Sequence, residues 1–79
     1  MSRADKLVQK LLQFPKTMRF GEVERVLEEH GYTLARTKGS HNIFKRPGSP
    51  RIEVPTVNGR DVKVEYLKEV AAMLELKEE

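Results

Sequence analysis

A chain of 79 residues with 34% charged and 38% hydrophobic positions fits one small soluble globular domain. A domain of this size buries only about 60% of the surface its unfolded chain exposes, which leaves no room for a deep pocket. Zero cysteines exclude a disulfide framework and thiolate metal sites, no apolar run approaches the roughly 20 residues a membrane span needs, and the formal charge of +3 favours a polyanionic partner. Met1-Ser2-Arg3 leads into an amphipathic segment containing Asp5 rather than a signal-peptide apolar core, so a cytoplasmic location is the default expectation.

Residues 2–13 place Leu7, Val8, Leu11 and Leu12 at three- and four-residue spacing, which predicts a first helix, with Ser2 and Asp5 able to cap it and Pro15 closing it. A connector over residues 16–20 follows. A second helix is expected over residues 22–30, burying Val23, Val26 and Leu27, with Gly21 as a permissive cap and Gly31 as its left-handed stop. Residues 32–37 read as a strand, Lys38-Gly39 as a tight turn, and residues 41–46 as the returning strand, ended by the loop Pro47-Gly48-Ser49-Pro50. A third strand spans residues 51–54, with Pro55 and Asn58-Gly59 marking its exit, and a last helix over residues 64–76 carries Val64, Leu67, Val70, Ala71 and Leu74 on one face. Three sequential strands on short loops make an antiparallel meander, and the flanking helices cover one face of it. The result is a two-layer α+β domain whose other sheet face stays open.

With Lys38-Gly39 as the turn, Thr37 opposes Ser40, Arg36 opposes His41, Leu34 opposes Ile43 and Tyr32 opposes Lys45. His41 then shares a face with Leu34, Ile43, Ile52 and Val54, at the rim of the core. Phe44, Thr33 and Ala35 take the open face. A slip of one residue would exchange the faces, and a contact between Phe44 and the helices would reveal it.

Charge is unevenly spread. From Arg36 to Arg60 the chain carries Arg36, Lys38, Lys45, Arg46, Arg51 and Arg60 against Glu53 alone, while most of the other acids gather over residues 22–29 and 65–79. Such cations bind phosphate oxygens, although lysine and arginine also serve to protect strand edges from pairing. A partly exposed imidazole at His41, after the turn glycine Gly39 and the hydroxyl of Ser40, supplies the parts for phosphodiester chemistry on RNA. A base takes the ribose 2′-hydroxyl proton, the oxygen attacks phosphorus, and cations stabilise the charge. The plainer reading of His41 is a structural strand residue. Ser40 reads as a turn or phosphate-contacting residue rather than a nucleophile, since no Ser-His-acid arrangement accompanies it, and Gly39 permits positive φ and close backbone approach to a phosphate. His30 reads as a helix C-terminal cap, and the spacing of the two histidines offers no metal site. Tyr32 and Phe44 read as packing residues before base-stacking ones.

The stretch Gly31-Tyr32, then Gly39-Ser40-His41-Asn42-Ile43-Phe44, then Val54-Pro55 and a final amphipathic helix resembles the HicA family of mRNA interferase toxins, over roughly residues 22–76. The resemblance implies a double-stranded-RNA-binding-domain-like α-β-β-β-α fold and a ribosome-independent, metal-independent endoribonuclease that needs no cofactor. It places the catalytic histidine on His41 and the preceding glycine and serine on Gly39 and Ser40. It also implies mRNA as substrate and a HicB-type antitoxin as partner. RNA contacts then fall to Arg36, Lys38, Gly39, Ser40, Lys45 and Arg46. The family often has a second histidine where this chain has Asn42, and many members have one after the Val-Pro, where this chain has Thr56-Val57. Residues 1–19 lie outside the minimal family domain. Two other classes fit the same surface: a non-catalytic RNA-binding module and an adaptor whose basic face meets an acidic protein.

Overall fold

A computed structural model describes residues 3–76. Helix α1 (Arg3–Leu12) follows the expected stripe: Leu11 is fully buried, and Leu7, Val8 and Leu12 pack against the same cluster. The Ser2 cap lies outside the described residues. The helix stops ahead of Pro15, where Phe14 takes a left-handed φ of 48° and its N–H donates to the Leu11 carbonyl at 2.9 Å. Phe14 thus does the work that glycine usually does past a helix end.

The expected connector contains strand β1 (Thr17–Arg19), which pairs antiparallel with β5 (Asp61–Lys63) and sets Met18 opposite Val62. Both side chains are buried. Helix α2 (Phe20–Glu29) begins at once, so its N-cap is Arg19 rather than Gly21. The reason is Glu22, three residues on, whose carboxylate accepts the Arg19 backbone N–H at 3.2 Å as the acidic half of a capping box. The other oxygen of Glu22 accepts from Lys10 Nζ at 2.8 Å and ties α1 to α2.

The hydrogen bond from Lys10, joined by the Arg19 N–H, holds the Glu22 carboxyl below its ordinary value of 4.5, against the smaller opposing effect of burial. A carboxylate depressed in the folded state stabilises the fold above the unfolded value and loses that contribution as pH falls through the folded one. Glu22→Gln should therefore be less stable than the parent at pH 7, with the gap narrowing as pH falls below the ordinary carboxyl value of 4.5. Urea titrations of both proteins at pH 7, 5 and 3 measure it, and a constant gap would remove Glu22 ionisation from the account.

Strands β2 (Thr33–Lys38), β3 (His41–Lys45) and β4 (Ile52–Pro55) form the expected antiparallel meander in the order β2-β3-β4. Its register is not the expected one. The turn is Gly39-Ser40, with Lys38 opposite His41, Thr37 opposite Asn42 and Arg36 opposite Ile43. Gly39, at φ 60°, occupies the first loop position, where a two-residue hairpin of the II′ kind favours glycine. A bulge between Leu34 and Arg36 then restores the phase, so that Leu34 opposes Phe44 and Thr33 opposes Lys45.

The faces of β3 are exchanged accordingly. Phe44 is fully buried with its ring 5.9 Å from that of Phe20 on α2, and Asn42 lies on the same side. His41, Ile43 and Lys45 take the open face instead of the rim of the core. Leu34 keeps its expected side but sits half-exposed on the edge strand.

Helix α3 (Val64–Met73) closes the chain, three residues shorter than expected, because Glu75 turns left-handed at φ 55° and Leu76 N–H returns to the Ala71 carbonyl. Its Leu67, Val70 and Ala71 join Val23, Val26 and Leu27 of α2 and Phe44, Ile52 and Val54 of the sheet in one buried cluster, with α1 lying across α2 and α3. This is the two-layer α+β arrangement, consistent with a double-stranded-RNA-binding-domain-like fold, with a small β1-β5 ribbon added. No helix among the described residues is long and apolar enough to cross a membrane.

Candidate functional site

Alternation along the meander decides what the open face presents. On β3 it presents His41, Ile43 and Lys45. Arg36 and Lys38 stand beside them on β2, and Glu53 on β4 is paired with Ile43. Arg51, two residues before Glu53, falls on the same side. Together with Gly39 these residues line a shallow groove of about 590 Å³. Ile43, on the central strand between Arg36 and Glu53, is its floor and is only 8% exposed.

Four cations, Arg36, Lys38, Lys45 and Arg51, surround one imidazole and one carboxylate in this groove. The His41 side chain is 56% exposed, and its Nδ1 lies 3.0 Å from Glu53 Oε2. Pro55, the residue directly across from His41 on β4, has no side-chain donor or acceptor, so the contact runs diagonally to Glu53. The site therefore combines a solvent-accessible proton carrier with several fixed positive charges. That is a combination suited to a polyanion whose reacting atom needs a base.

Arg36 and Lys38 exchange places relative to the expected register, with Lys38 directly across from His41, yet both remain on its face. Lys45 joins them. Gly39 forms the rim of the groove, and the Ser40 carbonyl accepts the Thr56 N–H at 2.9 Å, locking the hairpin turn against the exit of β4. Arg46 does not join the groove. Its Nη1 donates to the His30 carbonyl at 2.7 Å, its Nε donates to Ser49 Oγ at 2.9 Å, and its guanidinium stacks 4.6 Å from the centre of the Tyr32 ring. It closes the C-terminal end of α2. Gly31, at φ 86°, sits so near that a Cβ there would come within 3.1 Å of the Arg46 side chain.

His30 caps α2 as expected, with Nδ1–H donating to the Val26 carbonyl at 2.8 Å. Tyr32 is a packing residue, buried and donating its hydroxyl to the Pro50 carbonyl. Asn42 points away from His41, as expected. Its amide donates to the Val54 carbonyl at 2.9 Å while its oxygen accepts from Thr37 Oγ1 at 3.0 Å, so every polar group buried with it is paired. Among the described residues no three His, Cys, Asp or Glu side chains gather as metal ligands.

Arg51, Glu53 and Ile43 are the groove residues that sequence reasoning did not assign to the site. The signal for the first two was present, since Ile52 and Val54 turn inward and their neighbours must turn outward. It was hidden by setting His41 on the inward face.

A family model described as "HicA toxin of bacterial toxin-antitoxin" matches residues 20–77. No curated protein and no solved structure matches the chain. The matched span takes in all three strands of the meander, α2 and α3, and hence every residue of the groove.

Proposed function

The chain belongs to the HicA toxin family of bacterial toxin-antitoxin systems, whose members pair with an antitoxin, and from that premise we propose that it is an mRNA interferase. It cleaves RNA as a metal-independent, ribosome-independent endoribonuclease in the cytoplasm, and a HicB-type antitoxin inhibits it. The observation that carries this reading is the open imidazole of His41 within a groove lined by Arg36, Lys38, Lys45 and Arg51.

The cations hold successive phosphates, which positions the strand without reading its sequence. His41 takes the proton of a ribose 2′-hydroxyl as the O2′–P bond forms and the P–O5′ bond breaks. The departing 5′-oxygen takes a proton from water, and the imidazolium returns its own to the hydroxide left behind. The products are a 2′,3′-cyclic phosphate and a 5′-hydroxyl end. The neighbouring guanidinium and ammonium groups oppose the negative charge that gathers on the phosphoryl oxygens.

Purified protein incubated with single-stranded RNA in EDTA should give shorter fragments with cyclic-phosphate ends. A shifted complex with no shortening would leave a non-catalytic RNA-binding module. No binding even at low salt would favour the protein adaptor. On non-cleavable RNA, contact with phosphates by all four cations should give a slope of log K against log[salt] of about −3.

A further inference from the structure

Among the residues lining the groove, Glu53 is the one carboxylate, and its negative charge opposes the binding of phosphates by its four cationic neighbours. Its placement has another logic. Oε2 lies 3.0 Å from His41 Nδ1, reached diagonally from β4, while the residue directly across from His41 is Pro55. A carboxylate accepts hydrogen bonds and donates none, so the hydrogen between the two belongs to Nδ1.

We propose that Glu53 is the positioning residue of His41: it accepts the Nδ1 hydrogen, fixes the ring, and leaves the Nε2 lone pair as the proton acceptor. This rests on the RNA-cleaving reading above. In that reaction Nε2 removes the 2′-hydroxyl proton while O2′ bonds to phosphorus and the 5′-oxygen leaves to be protonated by water. The ring gains a positive charge during the step, and the Glu53 carboxylate already faces it. Without Glu53 the ring turns freely and can carry its hydrogen on Nε2, where the atom donates and cannot act as a base.

Glu53 is half-exposed, so its substitution should leave the core untouched, and an unchanged circular dichroism spectrum is the check. Glu53→Ala should lower kcat by at least about 10- to 100-fold, the range seen when the partner that orients a metal-bound histidine is removed. Glu53→Gln, which keeps an accepting oxygen and loses the charge, should fall between the two. Binding of 2′-O-methyl RNA, which lacks the attacking hydroxyl, should tighten in both variants because one negative charge has left the groove. Opposite signs for turnover and affinity separate positioning from a merely structural role, which would weaken both together.

Nitrogen-15 NMR of the neutral ring should find Nδ1 protonated in the parent and a shift toward Nε2 protonation in Glu53→Ala. A parent ring protonated at Nε2 overturns the role of Glu53 whether or not RNA is cleaved, and so does parental kcat in Glu53→Ala. Parent protein that leaves RNA intact overturns the cleavage reading instead.

Discussion

His41→Ala should lower RNA cleavage by about 10²- to 10⁴-fold, the usual effect of removing a general acid or base, while the protein stays folded and still binds RNA. At about 1.4 kcal/mol per decade this is a loss of about 3–5 kcal/mol of transition-state stabilisation. No other side chain in the groove is suited to replace it. Arg36 and Arg51 do not give up a proton at neutral pH, Lys38 and Lys45 are cationic donors, and Glu53 lies on the far side of the ring from Nε2. Folding should be spared because the His41 side chain is 56% exposed and its one hydrogen-bond partner is itself at the surface. Substitutions of that kind usually stay within about 0.5 kcal/mol. Binding should be spared because the four cations remain. The measurement is single-turnover cleavage beside a gel-shift titration on non-cleavable RNA. Parental cleavage by His41→Ala would sink the assignment, and joint loss of cleavage and binding would make His41 a binding residue.

The groove was half legible in the sequence, for reasons that trace to one strand. Arg36, Lys38, Lys45 and His41 share a face under either register, because moving the turn by one residue shifts β2 and β3 partners without altering the alternation within each strand. The cluster of cations around the imidazole could therefore be read directly. What the face opposes could not. Ile43 and Phe44 are adjacent apolar residues, so alternation gives β3 no phase of its own, and Leu34 favours the wrong one unless a bulge is assumed. Choosing Ile43 as the core residue put His41 against the helices and hid Glu53.

Arg46 shows the complementary limit. Composition groups it with the basic stretch, yet its position one residue past Lys45 turns it to the other side, onto Tyr32 and the end of α2. The helices were legible because ten residues give an apolar stripe at least two repeats. The strands β1 and β5, at three residues each, are too short to show a period. They are held by Met18 meeting Val62 and by backbone bonds such as Phe20 N–H to the Arg60 carbonyl, contacts between segments about forty residues apart.

Phe44→Ala should cost about 3–5 kcal/mol, the range for deleting a buried aromatic side chain and leaving a cavity. A domain of this length has a stability of roughly 4–12 kcal/mol, so the substitution removes between about a quarter and all of it. Phe44 is fully buried, paired across β3 with Leu34 on one side and Ile52 on the other, and its ring meets that of Phe20. Helix and sheet therefore meet through it. Ile43, its neighbour, is almost as well covered at 8% exposure, but by the residues of the open face rather than by the helices. Long cationic side chains can follow a shortened residue downward, so Ile43→Ala leaves less of a void and should cost less, by about 1 kcal/mol or more. Urea unfolding of the two variants decides the order. A larger loss from Ile43→Ala would reverse the phase of β3, and with it the side on which His41 stands. The stability of one phenylalanine and the accessibility of one imidazole are thus set by the same choice of register, which is why a packing experiment bears directly on the site.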